Sequence, residues 1–426
     1  MRSRLTRNAL TLMTSSAGGA LLSLLLSLLI GRTLGGAALG AYAAALAWVY
    51  PLVLLADAGI NTLMVREAAQ SDSPHPASVH LSAAIRARLP FGLLLTAILW
   101  LFAPVLSTDA VIVTGIRLSA PLLLISPLFG GFSALLRAQQ TMRPIAALNL
   151  GMLGAQLLLT AAALAAGAGV LGALLLNTLT SAGQLVAAWW VSPRPPAPAP
   201  TGEGGQKVPL HAVGRDLGWG NSVKAGEQNT LARTLRRRGL PFALAAVLAA
   251  LQLRLGVILL ERLTDSTQVG YFVAGGRFIE GGRILALGYL DALLPALAAL
   301  AAQPAILRHV FRRAAWLLTA GGVLFGILVS VSAQPLLTLT YGTAFAPAAP
   351  VLSLLAWTLL PLLLKYARGL YCYAIGREAL VNQVTALTLA LQIGLSLWPM
   401  PTEGAIGAAL VALVTECVAV LLLWVL

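Results

Sequence analysis

The sequence predicts an all-α polytopic membrane protein: about twelve transmembrane helices in two pseudo-symmetric six-helix bundles around a central cavity. Three observations predict it. Hydrophobic residues make up 58% of the 426 and charged residues only 10%, with a mean hydropathy of +0.86, more apolar surface than a soluble domain can hide. Apolar stretches of about 20 residues recur in two sets of six on either side of one polar segment. Basic residues gather on alternate connections, the signature of a fixed orientation in a bilayer. A β-barrel would show alternating polar positions, and the Leu-, Ala-, Val- and Gly-rich stretches do not.

In order, the predicted spans are 10–30, 38–60, 86–106, 110–135, 145–166 and 169–191, then 240–261, 268–295, 314–333, 348–372, 379–398 and 404–426. They divide the chain into an N-terminal six-helix lobe (1–192), a cytoplasmic Pro-rich and basic linker (193–239) and a C-terminal six-helix lobe (240–426). The basic start and apolar middle of the N-terminus suggest a signal peptide. Its apolar run is too long, so an uncleaved first helix is expected.

With a cytoplasmic N-terminus, the inner segments hold Arg2, Arg4, Arg7, Arg66, Arg86, Arg88, Arg137 and Arg143, the basic linker, and Arg308, Arg312, Arg313 and Arg377. The outer loops hold only Arg32 and Arg262. Both termini are therefore expected on the cytoplasmic side. The net charge of +14 is then topological and lipid-facing, with no nucleic-acid partner implied. The linker combines an extended SPRPPAPAP run with Arg233, Arg236, Arg237 and Arg238, which suit anchoring to anionic lipid heads, with a regulatory or partner-docking role as the alternative.

A weak internal repeat supports two equivalent halves. GRTLGGAALGAYAAAL from Gly31 aligns with ERLTDSTQVGYFVAGG from Glu261, matching Arg32 to Arg262, Gly40 to Gly270 and Ala44 to Ala274. The second of these stretches leads into the most unusual span, 268–295. Arg277, Glu280, Arg283 and Asp291 fall on it within an arc of roughly 120°. Lipid-facing charges cost several kcal/mol, so this stripe must face other helices or a wet cavity.

Other chemistries find little support. Cys372 and Cys417 lie in apolar spans, and the four histidines lie outside them without partners at ligand spacing, so no metal or cofactor is expected. The AGGRFIEGGR string lacks the Lys-Ser/Thr and the preceding strand of a phosphate loop. No outer loop is long enough to hold an active site, which argues against an enzyme.

Five passages resemble a known family: GRTLGGAALGAYAAAL from Gly31 with LLADAGINTLMVREAA from Leu54, LRRRGLPFALAAVLAALQLRLGVILLERL from Leu235, VGYFVAGGRFIEGGRI from Val269, YGTAFAPAAPVLSLLAW from Tyr341, and AIGRE from Ala374. They are similar to the bacterial polysaccharide-transport family, the lipid-linked oligosaccharide (O-antigen) flippases of the multidrug/oligosaccharidyl-lipid/polysaccharide exporter superfamily. The resemblance implies a flippase in the bacterial inner membrane. Its substrate would be undecaprenyl-diphosphate-linked oligosaccharide for O-antigen, capsule or exopolysaccharide synthesis. Transport would proceed by alternating access driven by an H+ or Na+ gradient, beside membrane lipids and polysaccharide polymerase machinery. Where relatives carry an acidic residue in the seventh helix, this chain has Gly256, so coupling through that position is not expected. Relatives with two extra C-terminal helices hold a lipid-tail groove that is not expected here.

Such a function needs cations for the diphosphate, and arginine suits phosphate through its planar, permanently charged fork. Arg117, Arg254 and Arg277 are the candidates for a diphosphate-binding collar, each on the order of 12 Å below the outer boundary. The competing reading pairs Arg254 and Arg277 with Glu261 and Glu280 as structural glue. Arg283 lies deeper, to pass the anion inward or to close an i,i+3 pair with Glu280. Arg86 and Arg88 sit at the cytoplasmic mouth, as capture residues or as topology anchors. Ion coupling or cavity carboxylates are Glu280 and Glu416 near the membrane centre, with Asp57 and Asp291 nearer the cytoplasmic side; Asp57 either titrates or caps and pairs with Arg66. A multidrug or cation antiporter of the same fold should prefer acidic and aromatic walls, and a membrane-embedded glycan polymerase or ligase should carry a sizeable outer loop. A lipid II flippase stands within the same superfamily.

Overall fold

The computed structural model describes residues 2–61, 77–138, 141–191, 246–299, 304–374 and 377–425. The chain is all-helical throughout these segments. Helix α1 (Arg2–Asp57) is followed by α2 (Ala77–Leu106), α3 (Ala110–Ser119), α4 (Leu122–Ala138), α5 (Met142–Ala165) and α6 (Gly169–Val191). The second half holds α7 (246–263), α8 (Ser266–Ala299), α9 (Pro304–Thr340), α10 (Ala349–Ala374), α11 (Glu378–Ser396) and α12 (Ala405–Val425). The whole of the expected linker, and Arg66, lie outside the described residues.

A straight helix of α1's 56 residues would be about 84 Å long, far beyond the hydrocarbon thickness of a bilayer. Gly35 resolves this. Its φ of 84° and ψ of −178° break the helix into two spans, a conformation that residues with a Cβ rarely adopt. Pro121, with no N–H to donate to the Arg117 carbonyl, similarly separates α3 from α4, and the Leu118 carbonyl in the last turn of α3 accepts from Thr178 Oγ1 of α6 at 3.0 Å.

Among the described residues, nine helical stretches are long and apolar enough to cross a membrane. Dividing α1 at Gly35 and adding α7 and α8, which carry Arg254, Glu261 and Arg262 and Arg277, Glu280, Arg283 and Asp291, yields the expected dozen. The protein is a multi-pass membrane protein. Residues such as Trp100, Leu158, Trp190, Val331 and Leu339 are exposed on the bundle's outside, where acyl chains would cover them.

Helices α1 to α6 pack on one another, as do α8 to α12, and the broadest contact across the two halves is α1 on α8. This contact is a backbone seam made by glycine. A Cβ at Gly40 would collide with the Ser266 carbonyl, and one at Gly270 with the Gly36 carbonyl. The two collisions are equivalent under the offset that relates Arg32 to Arg262, so the seam is pseudo-symmetric.

The same symmetry governs a pair of clasps beside it. Arg32, at the kink of α1, donates to the Leu339 and Thr340 carbonyls at the end of α9, at 3.3 and 3.4 Å. Arg262, at the end of α7, donates to the Val105 and Leu106 carbonyls at the end of α2, at 3.4 and 3.3 Å. Each guanidinium thus meets the negative end of a helix dipole from the opposite half. Glu261 adds a third tie, accepting from Ser107 Oγ at 2.6 Å and Trp48 Nε1 at 3.5 Å. Ser266 Oγ donates to Asp109 Oδ2 at 3.2 Å. The halves are therefore locked together at the Arg32 end.

Because the seam tolerates no side chain, Gly40→Val should part the halves at this end while leaving each half folded. A cysteine at Thr267, which lies against Gly36, would report it once Cys372 and Cys417 are replaced by serine. Reaction with a membrane-impermeant maleimide should be at least several-fold faster in the Gly40→Val background.

Candidate functional site

Away from the seam, the halves diverge around a cavity of about 350 Å³. Its wall draws on α1 (Ser23, Tyr42, Tyr50), α5 and α6 (Gln156, Asn177), α7 (Gln252, Arg254), α8 (Arg277, Glu280, Arg283) and α10 to α12 (Thr358, Gln392, Glu416). On α8, Arg277 lies about 10 Å and Arg283 about 20 Å along the axis from Gly270.

Helix α8 presents this charged edge inward because its glycines allow it to. A Cβ at Gly275 would press on the Leu352 backbone of α10 at 3.3 Å, and one at Gly282 would press on Phe325 of α9 at 2.8 Å. These two positions seat α8 closely on the second half. Their neighbours Gly276 and Gly281 face open space, and Gly276 lines the cavity. Each Gly-Gly pair in AGGRFIEGGR thus has one member for packing and one that leaves room beside the arginines.

Arg277 is held in place. Its Nη1 donates to Glu280 Oε2 at 2.8 Å and to Ser23 Oγ of α1 at 3.1 Å, which leaves Nε buried without a partner. Arg254 lies over the Tyr50 ring with 5.3 Å between guanidinium carbon and centroid, within reach of Glu280's attraction and of repulsion from Arg277 and Arg283. Arg283 leaves its Nε buried and unpartnered. Neither Arg254 nor Arg283 has an ion-pair partner among the described residues.

The alternative pairings fall out differently. Glu261 is engaged with Ser107 and Trp48, not with Arg254. Glu280 takes Arg277 and not Arg283 as its i,i+3 partner. Gly256 lines the cavity, where a side chain would point at Phe272 and Gln392.

Arg117 is elsewhere. Its Nε donates to the Trp100 carbonyl at 3.2 Å and its guanidinium stacks 4.8 Å over the half-exposed Trp100 ring, between α3 and α2 and outside the cavity lining. Arg88 is buried, not at an open mouth. One Nη2 donates to Asp57 Oδ1 and Asn61 Oδ1, both at 2.8 Å. The DAGIN motif builds that receptor: Ala58 and Gly59 take φ of 52° and 66°, turning the chain so that Asp57 and Asn61 meet the same guanidinium. Arg86 is exposed. The Asp291 side chain lies outside the described ones.

Lysine 365 is the residue that the sequence reading missed. Its Nζ lies 2.7 Å from Glu416 Oε2 and 2.8 Å from Oε1, joining α10 to α12. The signal was available: Lys365 is the one lysine inside a predicted span. Glu416 is therefore neutralised by an internal ammonium. Among the charged groups of the lining, Arg277 cancels Glu280 and Lys365, from outside the lining, cancels Glu416, while Arg254 and Arg283 have no ion-pair partner among the described residues. The cavity carries a net positive charge. No cluster of three metal-ligating side chains occurs among the described residues.

Removing one member of a part-buried pair strands the other charge. Lys365→Met should destabilise the protein by about 3 kcal/mol, and Lys365→Met combined with Glu416→Gln should recover most of that loss. Thermal unfolding of the four variants of the cycle in detergent checks this.

Comparison with known proteins agrees with the architecture. The structure is similar to a multidrug resistance MATE family transporter of the MOP superfamily in its inward-facing conformation (TM-score 0.78, 14% identity, 96% of this chain and 93% of that one). It is also similar to the lipid II flippase MurJ in an inward closed conformation (TM-score 0.72, 13% identity, 97% and 87%). A third is a MOP superfamily transporter from Pyrococcus furiosus described as having a binding pocket of reverse polarity (TM-score 0.62, 14% identity, 99% and 94%). At these identities the likeness establishes the fold. A comparison with curated proteins yields no match. Residues 5–301 match the family model described as polysaccharide biosynthesis protein. The chain belongs to that polysaccharide biosynthesis protein family.

Proposed function

We propose that this transporter flips a polyprenyl-diphosphate-linked oligosaccharide across the bacterial inner membrane, with Arg254, Arg277 and Arg283 receiving the diphosphate. The observation that carries the reading is the uncompensated charge. Two guanidinium groups without carboxylate partners among the described residues line a cavity between membrane-spanning helices, where an unpaired charge costs several kcal/mol unless a counter-ion comes to meet it. A diphosphate supplies that counter-ion, and Arg binds it bidentately. A small cationic drug would meet repulsion here, because both cavity carboxylates already have internal partners.

The closed end supports alternating access. Arg262 and Arg32 lie on the sparsely charged side of the bundle, which the positive-inside bias assigns to the outside. In this state the outer side is shut by the glycine seam and the two clasps, and the cavity lies on its cytoplasmic side. A substrate made in the cytoplasm would enter with its glycan between the halves and its polyprenyl tail in lipid. Parting of the seam would then release it outward.

Glu280 is the carboxylate placed to couple this motion to an ion gradient. It is partly exposed to the cavity and shares Arg277 with Ser23 of α1. A proton or sodium ion on Glu280 would loosen Arg277, and an arriving phosphate would compete for the same guanidinium. Asp57, by contrast, is committed to Arg88.

Reconstituted vesicles with a labelled polyprenyl-diphosphate sugar test the reading. Arg254→Ala and Arg277→Ala should each lower flipping at least ten-fold, Arg254→Ala with wild-type yield and melting temperature, and Arg277→Ala with a lower melting temperature that adding Glu280→Gln restores, because it strands Glu280. Arg117→Ala, outside the cavity, should keep transport within about two-fold of wild type. Undiminished transport in both cavity variants would remove the diphosphate from this site.

A further inference from the structure

The two walls of the cavity differ in kind. Every charged residue of the lining comes from the second half of the chain: Arg254, Arg277, Glu280, Arg283 and Glu416. Among the described residues the first half contributes no charge to it. Its polar lining is neutral: the hydroxyls of Ser23, Ser27 and Tyr50 on α1, and a cluster of three made by Tyr42 of α1, Gln156 of α5 and Asn177 of α6.

These three are buried, at 5%, 2% and 3% exposure, and bonded to one another. Gln156 Nε2 donates to the Tyr42 hydroxyl at 3.1 Å and to Asn177 Oδ1 at 2.9 Å. That arrangement uses both amide protons of Gln156 and leaves capacity unspent. Asn177 Nδ2 is buried with no acceptor. Gln156 Oε1 and the Tyr42 proton have no partner among the described residues either. A buried polar group left unsatisfied costs about 1–3 kcal/mol, so a merely structural network would be expected to close on itself.

The unspent groups are donors and an acceptor close together, and all are neutral. That is the complement of a sugar's adjacent hydroxyls, each of which donates and accepts. We propose that Tyr42, Gln156 and Asn177 form a subsite for the sugar attached directly to the diphosphate, opposite the cationic wall. This inference rests on the anionic-substrate reading above and adds what the first half does. A cavity of about 350 Å³ has room for the diphosphate and its nearest sugar, not for a long glycan. Recognition would therefore read the phosphate-linked sugar and be indifferent to more distal units.

Binding to the purified full-length protein in nanodiscs tests it, with farnesyl diphosphate as the bare probe. The same lipid diphosphate carrying a single glucose, galactose or N-acetylglucosamine supplies the glycosylated probes. At least one glycosylated probe should bind about ten-fold tighter than the bare one. Gln156→Met and Asn177→Leu should each erase that advantage while leaving bare-probe affinity unchanged, which also reports correct folding. Arg254→Ala should weaken both probe types. If Gln156→Met does not fold, Tyr42→Phe, which removes only a hydroxyl, carries the same expectation. Equal binding of bare and glycosylated probes in the wild type, or an advantage that survives the substitutions, overturns the sugar subsite and leaves the anion site standing. Binding of neither probe overturns both.

Discussion

The backbone contact between α1 and α8 is the constraint on which the rest of the molecule depends. Gly36 and Gly40 face Ser266 and Gly270 so closely that neither helix can carry a Cβ at the second glycine. Two helix bundles pinned at such a point, and crossing at an angle, must diverge as they run away from it. The cavity is that divergence. Its position follows from the seam, since Tyr42 and Val273 at its margin are within a turn of Gly40 and Gly270. The clasps of Arg32 and Arg262 on opposite helix ends then hold the pinned side with no buried ion pair there among the described residues. Hydrogen bonds between charged groups and helix carbonyls can be exchanged for water at modest cost, which suits a contact that must break in every cycle.

Charge is distributed to match. Within the first half, Arg88 is matched by Asp57 and Asn61. Within the second half, Lys365 is matched by Glu416. These pairs are internal to one half, so relative motion of the two halves leaves them intact. The charges that are left unmatched, on Arg254 and Arg283, lie where the halves part. Glu280 and Arg277 stand between the two cases: they pair within α8, but Arg277 also reaches Ser23 of α1 and thereby senses whether the first half is near.

Much of this was legible in the sequence. Apolar periodicity located the spans, and the Arg32/Arg262, Gly40/Gly270 alignment pointed to the residues that turn out to form the clasps and the seam, although not to what they do. The charged stripe of α8 could be read to face inward because lipid would penalise it. What could not be read was partnership. Depth along a helix placed Arg117 level with Arg254 and Arg277, but depth says nothing of azimuth across helices, and Arg117 turns to Trp100. Asp57 meets a cation 31 residues away, Glu416 one 51 residues away and Arg32 carbonyls 307 and 308 away. None of these separations leaves a local trace. The neutral trio of Tyr42, Gln156 and Asn177 was hidden for another reason: single amides in apolar spans are ordinary helix-packing residues until three of them converge on one cavity.

The division of labour between the walls bears on how a flippase could let its cargo go. An anion bound by both halves would glue them together and oppose their separation in proportion to its affinity. With every charge of the described lining on α7, α8 and α12, a bound diphosphate would be held by one half alone. Only the weaker, neutral hydrogen bonds span to the other side, and water can replace each of them at little net cost. Strong binding and easy opening then cease to be in conflict. The asymmetry of the two walls is in this sense a requirement of the transport cycle, even though the helices that build them are related by symmetry.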